Sequence, residues 1–203
     1  MDVGCGTGVF LERAIKAGID AVGIDASPEM ISVAAKRVNS DRVRMARMQE
    51  LKEVETYDGI VSLSWSFNYL KSVAEATDVL TRFFKALKPG GRLILQIAHA
   101  PNARGTLNED REPGPDGQSD DVLFLYRFSQ VKDNSDQMRA QYVYGCQSRA
   151  ELFFEEHVLN ASDANKVAVL ATEVGFKRVE LLDSWRGESL ASSVSVFLLA
   201  QRP

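Results

Sequence analysis

Asp2-Val3-Gly4-Cys5-Gly6-Thr7-Gly8 decides how the rest of the chain is read. The stretch runs from the end of a short apolar segment into a helix that begins near Val9. Three glycines at alternate positions let a backbone turn tightly and come close to a ligand with no Cβ in the way. The helix N-terminus beyond them offers free N–H groups and a positive dipole end, suited to a phosphate or a carboxylate. Strand, glycine loop and helix in this order make a cofactor cradle. A plain turn has no use for three alternating glycines and their cost in backbone entropy.

Two cofactors compete for such a cradle. A dinucleotide loop is spaced G-x-G-x-x-G. Here the spacing is G-x-G-x-G, with an acid two positions before the first glycine. Val22-Gly23-Ile24-Asp25 then sets a carboxylate at the end of the next strand, where it can accept both hydroxyls of a ribose. Together the two motifs resemble those of the class I S-adenosylmethionine-dependent methyltransferases. Two later features belong to the same resemblance: the strand Tyr57-Asp58-Gly59-Ile60-Val61-Ser62-Leu63, and Leu87-Lys88-Pro89-Gly90-Gly91 ahead of an apolar strand. The resemblance is specific in the first half of the chain and general in the second.

Outward from the loop, the periodicities give alternating strands and helices. Phe10, Leu11, Ala14 and Ile15 share one face of a helix over 9–17. Ser27 caps a helix with Pro28 in its first turn and Met30, Ile31, Ala34, Ala35 and Val38 inward. Val43 to Ala46 reads as a third strand. Ser72 to Glu75 is a capping box. Its helix carries Val79, Leu80, Phe83, Phe84 and Leu87 inward, and Arg92 to Ala98 is the fifth strand. Residues 101–121 are rich in Pro, Gly, Asp and Asn, so a long loop, a lid or disordered tip, is expected.

The period then becomes two, with Val122, Phe124, Tyr126 and Phe128 on one side. Met138, Ala140, Tyr142, Tyr144 and Cys146 follow after a polar turn at 132–136, and then a run over 149–159. This predicts a small antiparallel sheet. Ser162 or Asp163 caps a last helix with Val167, Leu170, Ala171 and Val174 inward. Lys177 to Asp183 and Ser192 to Ala200 close the chain as a hairpin.

The fold expected is α/β: a doubly wound, mostly parallel seven-stranded sheet (Rossmann-like) with a small antiparallel insertion. Residues 1–203 read as a single methyltransferase domain, with the inserted loop and sheet at about 101–160. An insert there is similar to that of the glycine and nucleotide-amino-sugar N-methyltransferases, where it helps wall the substrate pocket.

The 203 residues carry a formal net charge of −4 and no run of Lys and Arg. That argues against a nucleic-acid partner. No apolar run is long enough to span a membrane, and no signal peptide is present. Cys5 and Cys146 form no disulfide framework and read as reduced thiols of a cytoplasmic protein. The two histidines and two cysteines do not cluster with metal-ligand spacing, so no metal is expected.

The resemblance implies S-adenosylmethionine as cofactor, with roles by position. Gly4, Gly6 and Gly8 admit its methionine part, and Cys5 is a small side chain in that loop. Asp2 orients the loop and helps hold the amino group. Asp25 takes the ribose hydroxyls, Ala26 and Met48 flank the adenine, and Gln49 meets the adenine amino group where the family often has Asp. Ser64 or the Leu63 carbonyl meets the methionine amino group.

The acceptor side is open. His99, at the carboxyl end of the fifth strand, can act as base or orienter, and equally as a polar loop residue. Tyr69 is the second catalytic candidate. Tyr69, Tyr126, Tyr142 and Tyr144 can line a pocket or simply pack the insert. His157 reads as a solvated strand residue, and Arg104 and Arg127 can hold an anion. The acceptor expected is a small molecule, nitrogen ahead of oxygen, with a homodimer left open.

The resemblance also implies an apolar lead into Asp2 and helices before it, whereas Met1 falls inside that strand. A truncated chain, a S-adenosylmethionine-binding protein without turnover, and more remotely a NAD-dependent oxidoreductase are the alternatives.

Overall fold

A computed structural model describes residues 1–112, 121–132, 134–183 and 193–203. Strands β1 (Asp2–Val3), β2 (Gly23–Asp25), β3 (Val43–Met45), β4 (Tyr57–Ser62) and β5 (Leu87–Ala98) run parallel. Helices α1 (Val9–Lys16), α2 (Pro28–Val38) and α3 (Val73–Ala86) connect members of this set. After α4 (Ala164–Val174), strands β10 (Lys177–Leu182) and β11 (Ser195–Gln201) add an antiparallel pair, with β11 against β5. The order is β10-β11-β5-β4-β1-β2-β3. The chain direction across the sheet reverses between β1 and β4, the place where open α/β sheets bind ligands at their carboxyl ends.

Residues buried on both faces explain the strands' continuous apolar runs. Ile60, Leu93, Leu95, Ile97 and Leu198 are fully buried and pack with Val79, Leu80 and Phe83 of α3 and Val167 of α4. Leu11, Ala14 and Ala34 bury the other flank against Ala21 and Val43.

The second sheet is antiparallel, in the order β6 (Arg104–Glu112), β7 (Val122–Val131), β8 (Asn134–Cys146), β9 (Glu151–Leu159). Met138, Ala140 and Leu159 pack against Ala98 and Ala100 at the end of β5, which seats this sheet over the carboxyl edge of the first.

Four expectations are corrected. Residues 104–112 form strand β6, paired with β7, rather than a loop. The segment is polar because it is an edge strand, which proteins commonly blunt with charge; residues 113–120 of the expected loop lie outside the described residues. Strand β5 starts at Leu87, already buried, not at Arg92. Phe10 and Met30 are each 42% exposed, since the buried stripes of short helices on an open sheet are narrower than the apolar pattern suggests. Ser192 of the expected last strand lies outside the described residues, and β11 begins at Ser195.

Candidate functional site

Parallel pairing of β1 with β2 sets Asp2 opposite Gly23 and Val3 opposite Ile24. The ladder then ends on one carbonyl: Gly4 N–H and Cys5 N–H both donate to Ile24 O, at 2.8 and 2.9 Å. The loop turns on left-handed glycines, with φ of 77° at Gly4, 53° at Gly6 and 78° at Gly8. A Cβ at Gly4 would lie 2.4 Å from Ser66 Oγ, and one at Gly8 3.1 Å from Ala34 Cβ, whereas Gly6 faces open space. Close packing thus demands glycine at Gly4 and Gly8. Gly6 needs it for φ and leaves a gap a ligand can enter. No side chain caps α1, so its first N–H groups keep their capacity to donate.

Asp25 closes the loop from the other side. Its Oδ2 accepts from Gly6 N–H and its Oδ1 from Ser27 N–H, both at 2.9 Å. Asp2 differs. It is 3% exposed, and its carboxylate takes no hydrogen bond among the described residues. Burial pushes its pKa up to about 7, the charge of Asp25 adds to this, and the N-terminal ammonium opposes it. A carboxylate this buried is costly to ionise, which creates a demand for a cation or a hydrogen-bond donor from a ligand. Among the described residues, the fully enclosed side-chain atoms without a partner are Ser62 Oγ and Asp183 Oδ1. Burial, helped by Asp2 and Asp25, pushes the Cys5 thiol up to about 12. Cys5 is therefore a packed, protonated side chain and not a nucleophile.

The other cofactor candidates ring the same carboxyl edge. Ala26 is exposed just beyond Asp25. Met48 and Gln49 open a 3₁₀ turn after β3, and Gln49 Nε2 donates to Glu75 Oε1 at 2.8 Å. Its amide oxygen therefore remains for a ligand. Leu63 O accepts from the backbone and hydroxyl of Ser66, and Ser64 N–H donates to Gln96 Oε1 at 2.9 Å. Ser64 and Trp65 hold φ of 50° and 62°, a left-handed pair of the kind that gathers at binding sites.

The 3₁₀ turn Ser66–Tyr69 spans from this loop to the second sheet. Ser66 Oγ donates to Gly4 O at 3.3 Å. Tyr69 OH shares a 3.0 Å hydrogen bond with His157 Nδ1 on β9. Between them Asn68 is fully buried: its Oδ1 accepts from Ala98 N–H, and its Nδ2 donates to Asn160 O and Ala161 O.

Sequence reasoning missed Asn68, and also Gln96 and Trp65, which both donate to Ser195 Oγ. The available signal was one amide between Phe67 and Tyr69 in an apolar stretch, which marks a buried polar group needing partners.

His99 is 6% exposed. Its Nδ1 accepts from Ala164 N–H at 3.2 Å, at the start of α4. Burial lowers its pKa, opposed by Asp163 and Asp183. It is thus a neutral imidazole engaged with a helix terminus, while Tyr69, 54% exposed, faces solvent. The two expected arginines lie in the insert, Arg104 opposite Ser129 and Arg127 opposite Gln141. Arg127 donates to Gln141 on the far face of the insert. Among the described residues, no three of His, Cys, Asp and Glu converge as a metal site, and no helix is long and apolar enough to cross a membrane.

Residues 1–91 match the methyltransferase domain family. YqeM of Bacillus subtilis (strain 168) is 33% identical over 101 residues, covering 48% of this chain and 41% of its own length. The dTDP-3-amino-3,4,6-trideoxy-alpha-D-glucopyranose N,N-dimethyltransferase of Streptomyces venezuelae is 30% identical over 96 residues, covering 47% of this chain and 40% of its own. These alignments span less than half of either relative. Among solved structures, CalS10 with bound SAM, an amino pentose methyltransferase from Micromonospora echinaspora, superposes with a TM-score of 0.77 at 21% identity, covering 100% of this chain and 82% of that one. DesVI of Streptomyces venezuelae gives 0.77 at 22%, covering 98% and 81%. At such identities the likeness is one of fold.

Proposed function

We propose that the chain, whose residues 1–91 match the methyltransferase domain family, is an S-adenosylmethionine-dependent methyltransferase that transfers the methyl group to a nitrogen, or an oxygen, of a small molecule. Bound at the loop, S-adenosylmethionine supplies a methyl group already made electrophilic by its sulfonium. The chain then needs to align an acceptor and exclude water, which is catalysis by proximity and desolvation.

The observation that carries the reading is the buried, donor-free carboxylate of Asp2 beside an open glycine gap. An ammonium group meets that demand. In this reading Asp2 holds the methionine amino group, with the Leu63 carbonyl and Ser64 flanking it. Asp25 accepts the ribose hydroxyls on the lone pairs that Gly6 and Ser27 leave free. Ala26, Met48 and the Gln49 amide oxygen meet the adenine, while Gly4, Cys5, Gly6 and Gly8 form the floor. Tyr69 faces the acceptor. His99 sits one layer behind, holding α4 to the end of β5 and so fixing the seat of the second sheet.

Residues 1–203 act as a single domain with the second sheet as its insert. The chain works in the cytoplasm, as a homodimer where it assembles, on a substrate that is not a nucleic acid. Calorimetric titration with S-adenosylhomocysteine, with NAD as control, tests this. Binding of the first alone is expected; binding of NAD alone overturns the reading.

A further inference from the structure

The inner face of the second sheet carries chemistry that the cofactor site does not use. Register sets Tyr142 opposite Glu155, Tyr144 opposite Phe153 and Ala140 opposite His157, so Tyr142, Tyr144, Glu155 and His157 share one face with side chains in contact range. Tyr69 joins them from the 3₁₀ turn. Its ring meets that of His157 edge-on at 5.7 Å, and the Tyr142 ring meets His157 at 5.9 Å. Tyr142 and Tyr144 stack at 6.2 Å. His157 Nε2 lies 3.5 Å from Glu155 Oε2. Burial raises the pKa of all three phenols, and the Glu155 carboxylate adds to each, so that carboxylate lies within electrostatic reach of every tyrosine.

The charged groups of this face are acidic, Asp110, Glu151 and Glu155, with no Lys or Arg among its described residues. Arg139 and Arg127 point to the opposite face, on Glu156 and Gln141. Lys71, two residues past Tyr69, gives its N–H to Glu75 and lines a separate cavity of about 200 Å³. Aromatic faces with a carboxylate at their rim attract organic cations, through the ring quadrupole and through charge.

We propose that Tyr69, Tyr142, Tyr144 and His157, with Glu155 at the rim, form a binding site for the ammonium group of a cationic amine, and that this amine is the methyl acceptor. The Glu155 carboxylate takes one ammonium proton. The freed nitrogen lone pair forms the N–CH₃ bond as the S–CH₃ bond of S-adenosylmethionine breaks, and S-adenosylhomocysteine leaves. The site's role in methyl transfer rests on the function proposed above; its affinity for a cation does not. The box favours an amine over an alcohol, because an ammonium gains from the ring quadrupoles and from the charge of Glu155, whereas a hydroxyl gains only a hydrogen bond. Ser66, at the start of the turn that ends in Tyr69, touches Gly4, so one short 3₁₀ turn links the cofactor loop to a ring of the box.

The test is an NMR titration of the full chain with choline, a permanently charged probe, beside its uncharged carbon isostere 3,3-dimethylbutan-1-ol. It is read at the imidazole Cε1–H signals of the two histidines present, with S-adenosylhomocysteine affinity measured in parallel by calorimetry. Choline is expected to move the His157 signal and leave His99 in place, and the isostere to move neither. Tyr142→Leu should weaken choline about fivefold. Glu155→Gln, at a side chain 55% exposed and safe for folding, should do the same. Both should keep their affinity for S-adenosylhomocysteine. An unmoved His157, equal binding of the isostere, or undiminished choline binding in Glu155→Gln overturns the box. Failure of the unsubstituted chain to bind S-adenosylhomocysteine overturns the proposed function instead, and the choline result still decides the box.

Discussion

In the seven-stranded sheet, strand residues are hidden, as with Leu93, Leu95 and Ile97 on one face of β5 at 0% exposure, and on both faces in the consecutive buried residues Val196, Phe197 and Leu198 of β11. In the four-stranded sheet the corresponding residues stay half in solvent, as with Tyr142 and Tyr144, or largely so, as with Phe153 at 54%. The first sheet therefore spends its side chains on packing and leaves ligand contact to backbone and to strand ends. The second presents side chains directly. Loss of function should follow the same division: backbone and carboxylate changes dominate at the first sheet, ring and charge changes at the second.

The sharpest way to break this contrast is Asp25→Ala. The residue holds two backbone N–H groups and, in the proposed site, two ribose hydroxyls. Hydrogen bonds to a charged group are worth about 1.5–3 kcal/mol each. Affinity for S-adenosylhomocysteine should therefore fall more than about a hundredfold, while circular dichroism stays that of a folded chain. Unchanged affinity would remove the ribose assignment and, with it, the claim that the first sheet acts through strand ends.

Next comes the joint between the two sheets. Asn68→Ala strips partners from Ala98 N–H and from the carbonyls of Asn160 and Ala161 in a fully buried place. A loss of about 3 kcal/mol is expected in urea denaturation. A loss under about 1 kcal/mol would mean that apolar contact at Ala98, Met138 and Leu159 holds the second sheet unaided.

The two halves were also unequally legible. At the loop, Gly4 and Gly8 sit where a Cβ would strike Ser66 and Ala34, so glycine there has a geometric cause that its spacing reveals. Asp25 is readable for the same reason, because it ends an apolar strand. The inner face of the second sheet was readable as alternation, but not as a site. Tyr69 and His157 are 88 residues apart, and no local pattern joins a turn after β4 to a strand of the insert. Strand β6 was misread because Arg104 to Glu112 are coloured by solvent rather than by pairing. Asn68 was legible as a buried amide but not as a joint, because its partners lie on β5 and on the β9–α4 junction.

A smaller effect, and a signed one, comes from Asp2. Its folded pKa of about 7 lies above the ordinary 3.8, so the folded state holds this proton more tightly than the unfolded chain does. The stability it contributes is complete below pH about 4 and is lost as pH rises toward 7. Asp2→Asn should therefore stabilise the ligand-free protein at pH 8 and change little at pH 4. Cofactor binding runs the other way, since an ammonium needs the ionised carboxylate. Affinity for S-adenosylhomocysteine should climb between pH 6 and 8, by up to about tenfold, and level off above. In Asp2→Asn the climb should vanish. A climb that persists would assign the titration to another group.

The smallest expected effect lies at the second sheet and separates ring from hydroxyl. Tyr69→Phe keeps the edge-on contact with His157 and deletes the hydrogen bond to Nδ1. The arrangement that satisfies all three groups has Tyr69 donating to Nδ1 while His157 Nε2–H points at Glu155. Deleting the donor leaves Nδ1 at a partly exposed edge, where water can replace it, so stability should fall by no more than about 1 kcal/mol. Imidazole nitrogen shifts should show a more even mixture of tautomers. Choline affinity should hold, because the quadrupole belongs to the ring and phenylalanine retains one. If affinity falls as far as in Glu155→Gln, the hydroxyl and not the ring face is the contact. The inner face would then recognise its ligand as the cofactor loop does, by directed hydrogen bonds, and the contrast between the two sheets would close.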